Sequence, residues 1–561
     1  MYDSGYKIII HLMKEFVGEN KYYFIGVIII SILIGFIQTN GINTFVAKLI
    51  DQTKENEPKS SIWNLFYILS VLYIIYQIFY YIMNELQSHI YHKMRPWIKS
   101  KLLDYIMQVN SNIFSEINFA SLTIPMGRIA DKLSWLTNDI ISYVIPDIIF
   151  ALVVSFYFFQ LDSLLSIIFL VGFSISLVYY VYTFNQTFED NKKYEKSFHN
   201  VEKAILDILN NIDRVIHRAE TSNEGKNIEK LASLNTNDGI NYQHNANIIN
   251  ANMHIIIMIV YLSSIGYLIK LVMNKKISHV SFVTSLTLLM VFREKIVGLL
   301  EQIPIITGYF GRMENALKNL KHITKNFDEF IVNDKKGEKH KLNFNNIKFE
   351  NINFSYTDSK NKIISNKTIN ISPKENTIVG ITGPSGSGKS TIMKLLIKMY
   401  PLQDGEIYID GVNVKDIDSF YLRKEVTYIS QNSKLFDQKV IENMMYGCMD
   451  MEKCSTYLNK IMSYPKIAGL YKDMNINTKR AGQLGENLSG GQRQVVNMIS
   501  GFINPSKILI LDEPTNALDP ELKKEVIELI KDFKQYKKNI FIVSHDKDVF
   551  QIFDDEIKLG Q

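Results

Sequence analysis

Cysteine is nearly missing from this chain: the 561 residues contain 2, Cys448 and Cys454. Two thiols cannot build a framework of bridges or a four-ligand zinc site. Both fall in a stretch expected to face a reducing cytosol, so plain unpaired thiols are expected. Neither sign of charge dominates, with 62 Lys and Arg against 57 Asp and Glu. The net charge is +5, and no concentrated basic face suggests a nucleic-acid partner. The first twenty residues hold a short apolar stretch at 8–10 and no small-residue cleavage signal, so they do not read as a signal peptide. Residues 6–18 read either as an amphipathic helix on a membrane surface or as a solvated lead-in.

Hydrophobic residues make up 47% and charged residues 21%. Neither value is extreme, but the long apolar runs all lie in the first half. A helix needs about 20 apolar residues to cross the hydrocarbon core. Six runs are candidates: about 22–46, 62–83, 140–159, 161–182, 248–272 and 278–300. The last is interrupted by Arg293, Glu294 and Lys295. The third and fourth are joined by a few residues around Asp162, and the fifth and sixth by a turn around Asn274. The links between the second and third and between the fourth and fifth are long, polar and helical in period. They carry Lys93, Arg95, Lys99, Lys101, Arg128 and Lys132, then Lys192, Lys193, Lys196, Lys203, Arg214 and Arg218. By the positive-inside bias these links and both termini are cytosolic, with Lys275 and Lys276 a mild exception.

Charges at membrane depth face a cavity or one another. Arg293, Glu294, Lys295 and Asp147 are therefore either cargo contacts, or groups that pair between helices or already lie below the bilayer. His89 and His92, three apart on a polar helix extension, read as surface residues rather than metal ligands. The expected domains are a membrane domain over 1–325, a linker over 326–343 that includes the charged run DKKGEKHK, and an α/β domain over 344–561.

Within that last domain, the apolar strand 378–381 is followed by Gly383, Pro384, Ser385, Gly386, Ser387, Gly388, Lys389, Ser390 and Thr391, then a helix over 392–399. This is a phosphate-binding loop in its strand–loop–helix setting. Glycines let backbone N–H groups close around phosphate oxygens, and the helix start adds a favourable dipole. Lys389 neutralises terminal phosphates, and Ser390 supplies an oxygen to Mg²⁺. A second buried strand, 507–511, ends in Asp512 and Glu513. Asp512 suits Mg²⁺ coordination through water, and Glu513 is placed to polarise an attacking water.

Residues 488–492 read LSGGQ, with Ser489, Gly490, Gly491 and Gln492 after Leu488, and Arg493 and Gln494 extend the motif. This resembles the signature of ATP-binding-cassette (ABC) proteins. Further motifs follow the order of that family. Tyr356 resembles the aromatic that stacks on adenine. Gln431, in YISQ, resembles the glutamine that touches Mg²⁺ and senses the membrane domain. Residues 516–519, ending in Asp519, resemble the D-loop, and Ser544–His545 the H-loop, whose histidine contacts the γ-phosphate. Nearly the whole chain is similar to a half-transporter of the ABC exporter type: six transmembrane helices with long cytosolic extensions, then one P-loop ATPase domain.

The resemblance implies ATP and Mg²⁺ as cofactors and a bilayer as surroundings. It also implies a second half-transporter, most simply an identical chain, since every catalytic element is present here. Coupling helices are expected near 115–123 and 210–215. Gln483 stands where the family commonly has Glu, Asn516 stands where Ser is usual, and the stretch after His545 is short. The implied activity is export driven by ATP hydrolysis. A nucleotide-gated channel, a regulatory subunit, or an importer of the same fold remain the alternatives. The cargo is not legible.

Overall fold

The computed structural model describes residues 4–54, 58–108, 122–319, 340–356, 363–400, 402–431 and 434–559. They form two compact units, one helical and one α/β.

The helical unit opens with α1 (Ser4–Glu19) and α2 (Lys21–Phe36). A π-helical turn, Ile37–Asn43, carries α2 into α3 (Thr44–Lys54). Then come α4 (Lys59–Gln108) and α5 (Thr123–Asp139), the latter passing through a second π-turn, Ile140–Val144, into α6 (Ile145–Leu161). The unit ends with α7 (Ser163–Asn210), the short α8 (Ile212–His217), α9 (Thr221–Met273) and α10 (His279–Asn319). The break expected near Asp162 is a single extended residue: its φ is -162° and its carboxylate accepts the N–H of Leu164, capping α7. The described parts of the long polar links are mostly helical, as their period implied, with breaks at Asn211 and at 218–220 on either side of α8.

Among the described residues, five helical stretches are long and apolar enough to cross a membrane: Lys21–Thr53, Lys59–Met107, Thr123–Leu161, Ser163–Asn210 and Thr221–Met273. The sixth, α10, forms with 41 residues but is not among them. Its charged triplet interrupts the apolar run. Large apolar side chains such as Trp63, Tyr67, Ile74 and Tyr81 on α4 point outward and exposed. An aqueous surface rarely carries so much contiguous apolar area, whereas lipid solvates it.

Between the helices the packing is dry. Phe158, Leu165, Phe169, Leu268 and Leu288 are fully buried in one cluster that joins α6, α7, α9 and α10. Two buried hydroxyls, Ser155 and Ser166, bond each other at 2.9 Å between α6 and α7. Of the four charges named in the sequence, two pair: Lys295 of α10 meets Asp147 of α6 at 2.9 Å. That is the helix-to-helix alternative. On the extensions, Arg312 pairs with Glu195 at 2.7 Å and Lys192 with Glu314 at 3.2 Å, tying α10 to α7.

Two expectations change. Helix α1 forms, but its apolar face, with Ile8, Leu12 and Phe16, is buried against protein rather than left for lipid. Phe16 meets Trp97 of α4 edge-on at 5.2 Å, and Glu19 accepts the Trp97 indole N–H. The cysteines are not plain thiols. Cys448 and Cys454 form a disulfide with Cα atoms 6.3 Å apart. Cys454 lies in the helix Met451–Ile461, and the chain turns just before it at Gly447 (φ 85°), which returns Cys448 to its side. A count of two rules out a framework but not one local bridge. His89 stacks on Tyr23 at 4.1 Å, and His92 meets Tyr91 edge-on. No group of three metal-capable side chains occurs among the described residues.

The α/β unit has two sheets. One, in the order β2-β1-β4-β5, is antiparallel and comprises β1 (Ile347–Phe354), β2 (Ile364–Ile371), β4 (Asp404–Ile409) and β5 (Val412–Asn413). The other, in the order β6-β7-β8-β3-β9, is parallel: β3 (Thr377–Thr382), β6 (Val426–Ile429), β7 (Ile508–Asp512), β8 (Asn539–Val543) and β9 (Asp555–Lys558). Every residue of β7 and β8 is buried, which explains their unbroken apolar runs. Alternate residues serve two cores. Leu509, Leu511, Ile540 and Ile542 pack on the helices Gly490–Ile503 and Pro520–Phe533. Ile508, Ile510, Phe541 and Val543 pack with the antiparallel sheet and the helix Lys389–Leu396.

The entry to β1 is clamped by Asp410. Its carboxylate accepts the N–H groups of Asn343, Phe344 and Asn345 at 2.7 Å each and of Asn346 at 3.1 Å. Burial alone would raise its pKa, but the four N–H donors outweigh it and hold it below the usual carboxylate range. The stability it adds is therefore present above the unfolded pKa of about 3.9 and is lost as pH falls through the lower folded value. Asp410→Asn removes the charge from bonds worth roughly 1.5–3 kcal/mol. Hydrogen exchange at the 343–346 amides of the full chain should accelerate about tenfold or more at neutral pH. Unchanged exchange would contradict the clamp.

Candidate nucleotide site

The register of the parallel sheet brings three sequence-distant segments to one edge. Asp512 pairs with Val543 across β7 and β8, and Ile381 pairs with Val543 across β8 and β3. Thr382, Asp512 and Val543 therefore end their strands at nearly the same level. The loop 383–388 leaves β3, Glu513 leaves β7 and His545 leaves β8 at the carboxyl edge, where α/β sheets bind ligands.

Gly383 lies at φ 146°, and a Cβ there would stand 2.1 Å from the carbonyl oxygen of Leu559. Gly388, at φ 87°, starts the helix Lys389–Leu396. Lys389 Nζ donates to the carbonyls of Gly383 (2.9 Å) and Pro384 (3.0 Å), reaching across the mouth of the loop. Those two acceptors are neutral, and no carboxylate pairs with Lys389 among the described residues. Ser387 Oγ is buried without a hydrogen-bond partner among them. A cation without a counter-charge and a buried hydroxyl without a partner, around a helix start, fit a phosphate chain.

Asp512 is held on both oxygens. Ser390 Oγ donates to Oδ1 at 2.8 Å and Tyr428 OH donates to Oδ2 at 2.5 Å. Ser390 thus spends its proton on Asp512 and keeps its lone pairs outward, an all-oxygen donor set that suits Mg²⁺. Gln431 follows β6, whose Ile429 pairs with Leu511, so it ends at the same edge and is exposed. Tyr428 was not singled out in the sequence, although it stands in the same YISQ segment as Gln431. Burial and the Asp512 charge push its phenol well above the usual range, so it stays a donor throughout the working pH range.

Glu513 takes the unusual φ of 51° for a non-glycine residue. Its N–H donates to Val543 O at 2.8 Å, and its carbonyl accepts from Gln494 Nε2 at 3.0 Å. Gln494 lies in the signature helix, and its Oε1 in turn accepts from Ala517 N at 3.3 Å. The strained backbone is pinned from two sides. Of the carboxylate, Oε1 meets His545 Nδ1 at 2.8 Å, while Oε2 is buried and lacks a hydrogen-bond partner among the described residues. That geometry leaves one basic oxygen for a water molecule. His545 is largely exposed, at 66% of its side chain, and its ring is oriented by Glu513.

The other sequence-named residues fall as follows. Tyr356 bonds Thr391 Oγ1 at 3.1 Å and packs edge-on against Tyr400 at 5.3 Å, so its ring is fixed beside the phosphate-loop helix. Ser489 and Gln492 form a reciprocal cap that starts the helix Gly490–Ile503. Ser489 and Gly490 are exposed. Asp519 caps the helix Pro520–Phe533 by accepting the N–H groups of Glu521 and Leu522. Pro384 and Ser385 belong to the loop, Gly386 (φ 82°) leaves open space on its Cβ side, and Gly491 packs towards Ala517 O.

The chain matches the family models described as ABC transporter transmembrane region, over residues 22–296, and ABC transporter, over residues 366–516. It belongs to the ABC transporter family. Among relatives, the Lactococcin-G-processing and transport ATP-binding protein LagD of Lactococcus lactis is 34% identical over 219 residues, 38% of this chain and 30% of that protein. The ATP-dependent lipid A-core flippase 2 of Colwellia psychrerythraea is 28% identical over 283 residues, 49% of this chain and 46% of that protein. The chain thus spans roughly a third to a half of the length of these relatives. A solved bacterial Atm1-family ABC exporter with ATP bound is 17% identical with a TM-score of 0.78, covering 96% of this chain and 93% of its own; it shares the fold.

Tyr428→Phe leaves Asp512 Oδ2 without its donor. The Mg²⁺ concentration for half-maximal nucleotide binding should rise several-fold, in line with a lost bond to a charged group. The wild type should show no loss of Mg²⁺-dependent binding from this phenol up to pH 10. A titration showing equal Mg²⁺ dependence in both proteins would contradict the assignment.

Proposed function

We propose that this chain is one half of an ATP-hydrolysing exporter. It pairs with a second copy of itself, and both termini and the ATPase domain face the cytosol. The observation that carries the reading is Glu513, with one carboxylate oxygen oriented by His545 and the other buried without a hydrogen-bond partner beside a complete phosphate loop. An intact general base favours a pump over a channel or regulatory subunit of the same fold.

In this reading, ATP supplies the phosphoryl group and Mg²⁺ supplies charge neutralisation at its terminal phosphates. Ser390, Asp512 and Gln431 hold the metal. Lys389 and the loop N–H groups hold the phosphates, and Tyr356 takes the adenine. Glu513 polarises water, and His545 both orients Glu513 and contacts the γ-phosphate. The exposed start of the signature helix, Ser489 and Gly490, serves the phosphate loop of the partner copy, so each nucleotide binds both chains. Asp519 shapes the same junction by capping the next helix.

The membrane half has six spans, α10 included. Helix α8, set between α7 and α9, is one coupling helix. The other expected one, 115–123, lies outside the described residues but for its last two positions, as does most of the linker 326–343. Nucleotide closure switches the cavity outward, and hydrolysis resets it.

Removing the base separates binding from turnover. Glu513→Gln should keep ATP affinity within a few-fold while hydrolysis falls about 100-fold or more. Purified protein assayed for phosphate release and for trapped nucleotide decides it. Near-normal release would refute the role of Glu513 and the exporter reading with it.

A further inference from the structure

Sulfur is concentrated in one short stretch of the α/β unit. Residues 444–454 read MMYGCMDMEKC, so six of these eleven side chains carry sulfur, and both cysteines of the chain are among them. The fold divides them by role. Met444 and Met445 pack into the core beneath. Cys454 is 2% exposed in the helix Met451–Ile461, with its Sγ 3.7 Å from Ile503 O. The turn at Gly447 brings Cys448 back to it, Cα to Cα 6.3 Å. Met449 and Met451 are instead exposed, at 64% each. Met451 Sδ stands 3.8 Å from Cys448 Sγ, so three sulfurs share one spot at the surface. Among the described residues no third His, Cys, Asp or Glu side chain joins the two cysteines.

Thiolate and thioether are soft donors, which select soft cations over the hard ones that prefer oxygen. We propose that the reduced Cys448–Cys454 pair, with the Met451 thioether, binds a soft monovalent cation of the copper(I) kind. Three sulfurs bonded to one metal at about 2.3 Å in a plane stand about 4 Å apart. Met451 already keeps close to that spacing from Cys448. Cα atoms 6.3 Å apart let the cysteine sulfurs bond each other or, after rotation about χ1, open to the same spacing. Mg²⁺ takes oxygen, and a structural zinc takes four ligands; two thiolates and one thioether suit neither. The Cys454 thiolate falls in the first turn of its helix, where the dipole favours an anion.

Two steps load the site. A small thiol of the glutathione class reduces the bridge: protein disulfide and two thiols give the protein dithiol and the disulfide of the small thiol. Copper(I) then replaces both thiol protons, which pass to water, and leaves a complex with one net negative charge. Neither step uses nucleotide, so failure of the proposal leaves the ATPase reading standing.

The full chain, wild type, Cys448→Ser and Met451→Leu, is treated with glutathione, desalted without oxygen and titrated with copper(I) against a chromophoric copper(I) chelator. The wild type should withhold one copper(I) per chain from the chelator, and Cys448→Ser none. Met451→Leu should hold it about tenfold more weakly, and wild type left oxidised should hold none. Excess zinc should not displace it. A glutathione-treated wild type that withholds no copper, or equal affinity in Cys448→Ser, overturns the site. Wild-type affinity in Met451→Leu overturns the thioether as a ligand, and displacement by zinc overturns the soft cation. If Cys448→Ser fails to fold, oxidised against reduced wild type decides: equal copper in both overturns the site.

Discussion

Phosphate charge has to be met by groups that do not move when it arrives, and in this chain a parallel sheet supplies that rigidity. Three adjacent buried strands end at one level, and each releases one functional segment: the phosphate loop from β3, Asp512 and Glu513 from β7, His545 from β8. The strands are buried on both faces, so their ends are held by two cores at once. Only on such a platform does a glutamate at φ 51° stay in place. Gln494 adds a tie from the signature helix to the Glu513 carbonyl, so that helix and the segment carrying Glu513 share one hydrogen-bonded frame.

The helical unit solves a different problem. In lipid the backbone must satisfy itself, which long uninterrupted helices do. Polar side chains between them must then pair with one another. Ser155 with Ser166 and Lys295 with Asp147 do so across helix boundaries. On the polar extensions, ion pairs such as Arg312 with Glu195 replace apolar packing where water is near.

The sequence was most readable where chemistry restricts residue choice. The glycine-rich loop, the acidic pair after an apolar strand and the LSGGQ run each lie in the setting their spacing implied. Helix breaks were readable where one residue makes them, as at Asp162. The π-turns at Ile37–Asn43 and Ile140–Val144 left no mark, because one extra residue in a helical turn alters neither composition nor period visibly. Tyr428 was missed because a phenol on a strand ordinarily reads as core; only the fold places it against Asp512. The covered face of α1 and the Cys448–Cys454 bridge were missed for a related reason. Both depend on what another segment brings near, and amphipathicity or a count of thiols is silent on that.

The central claim is that one nucleotide is shared between two copies, with the phosphate loop of one facing the signature of the other. It is tested most directly by cysteine cross-linking between differently tagged copies, Ser385→Cys in one and Ser489→Cys in the other, with Cys448 and Cys454 replaced by serine. In lipid with ATP, Mg²⁺ and the Glu513→Gln change, the account predicts an intermolecular cross-link that depends on nucleotide. A chain that stays monomeric and uncross-linked under those conditions would contradict it.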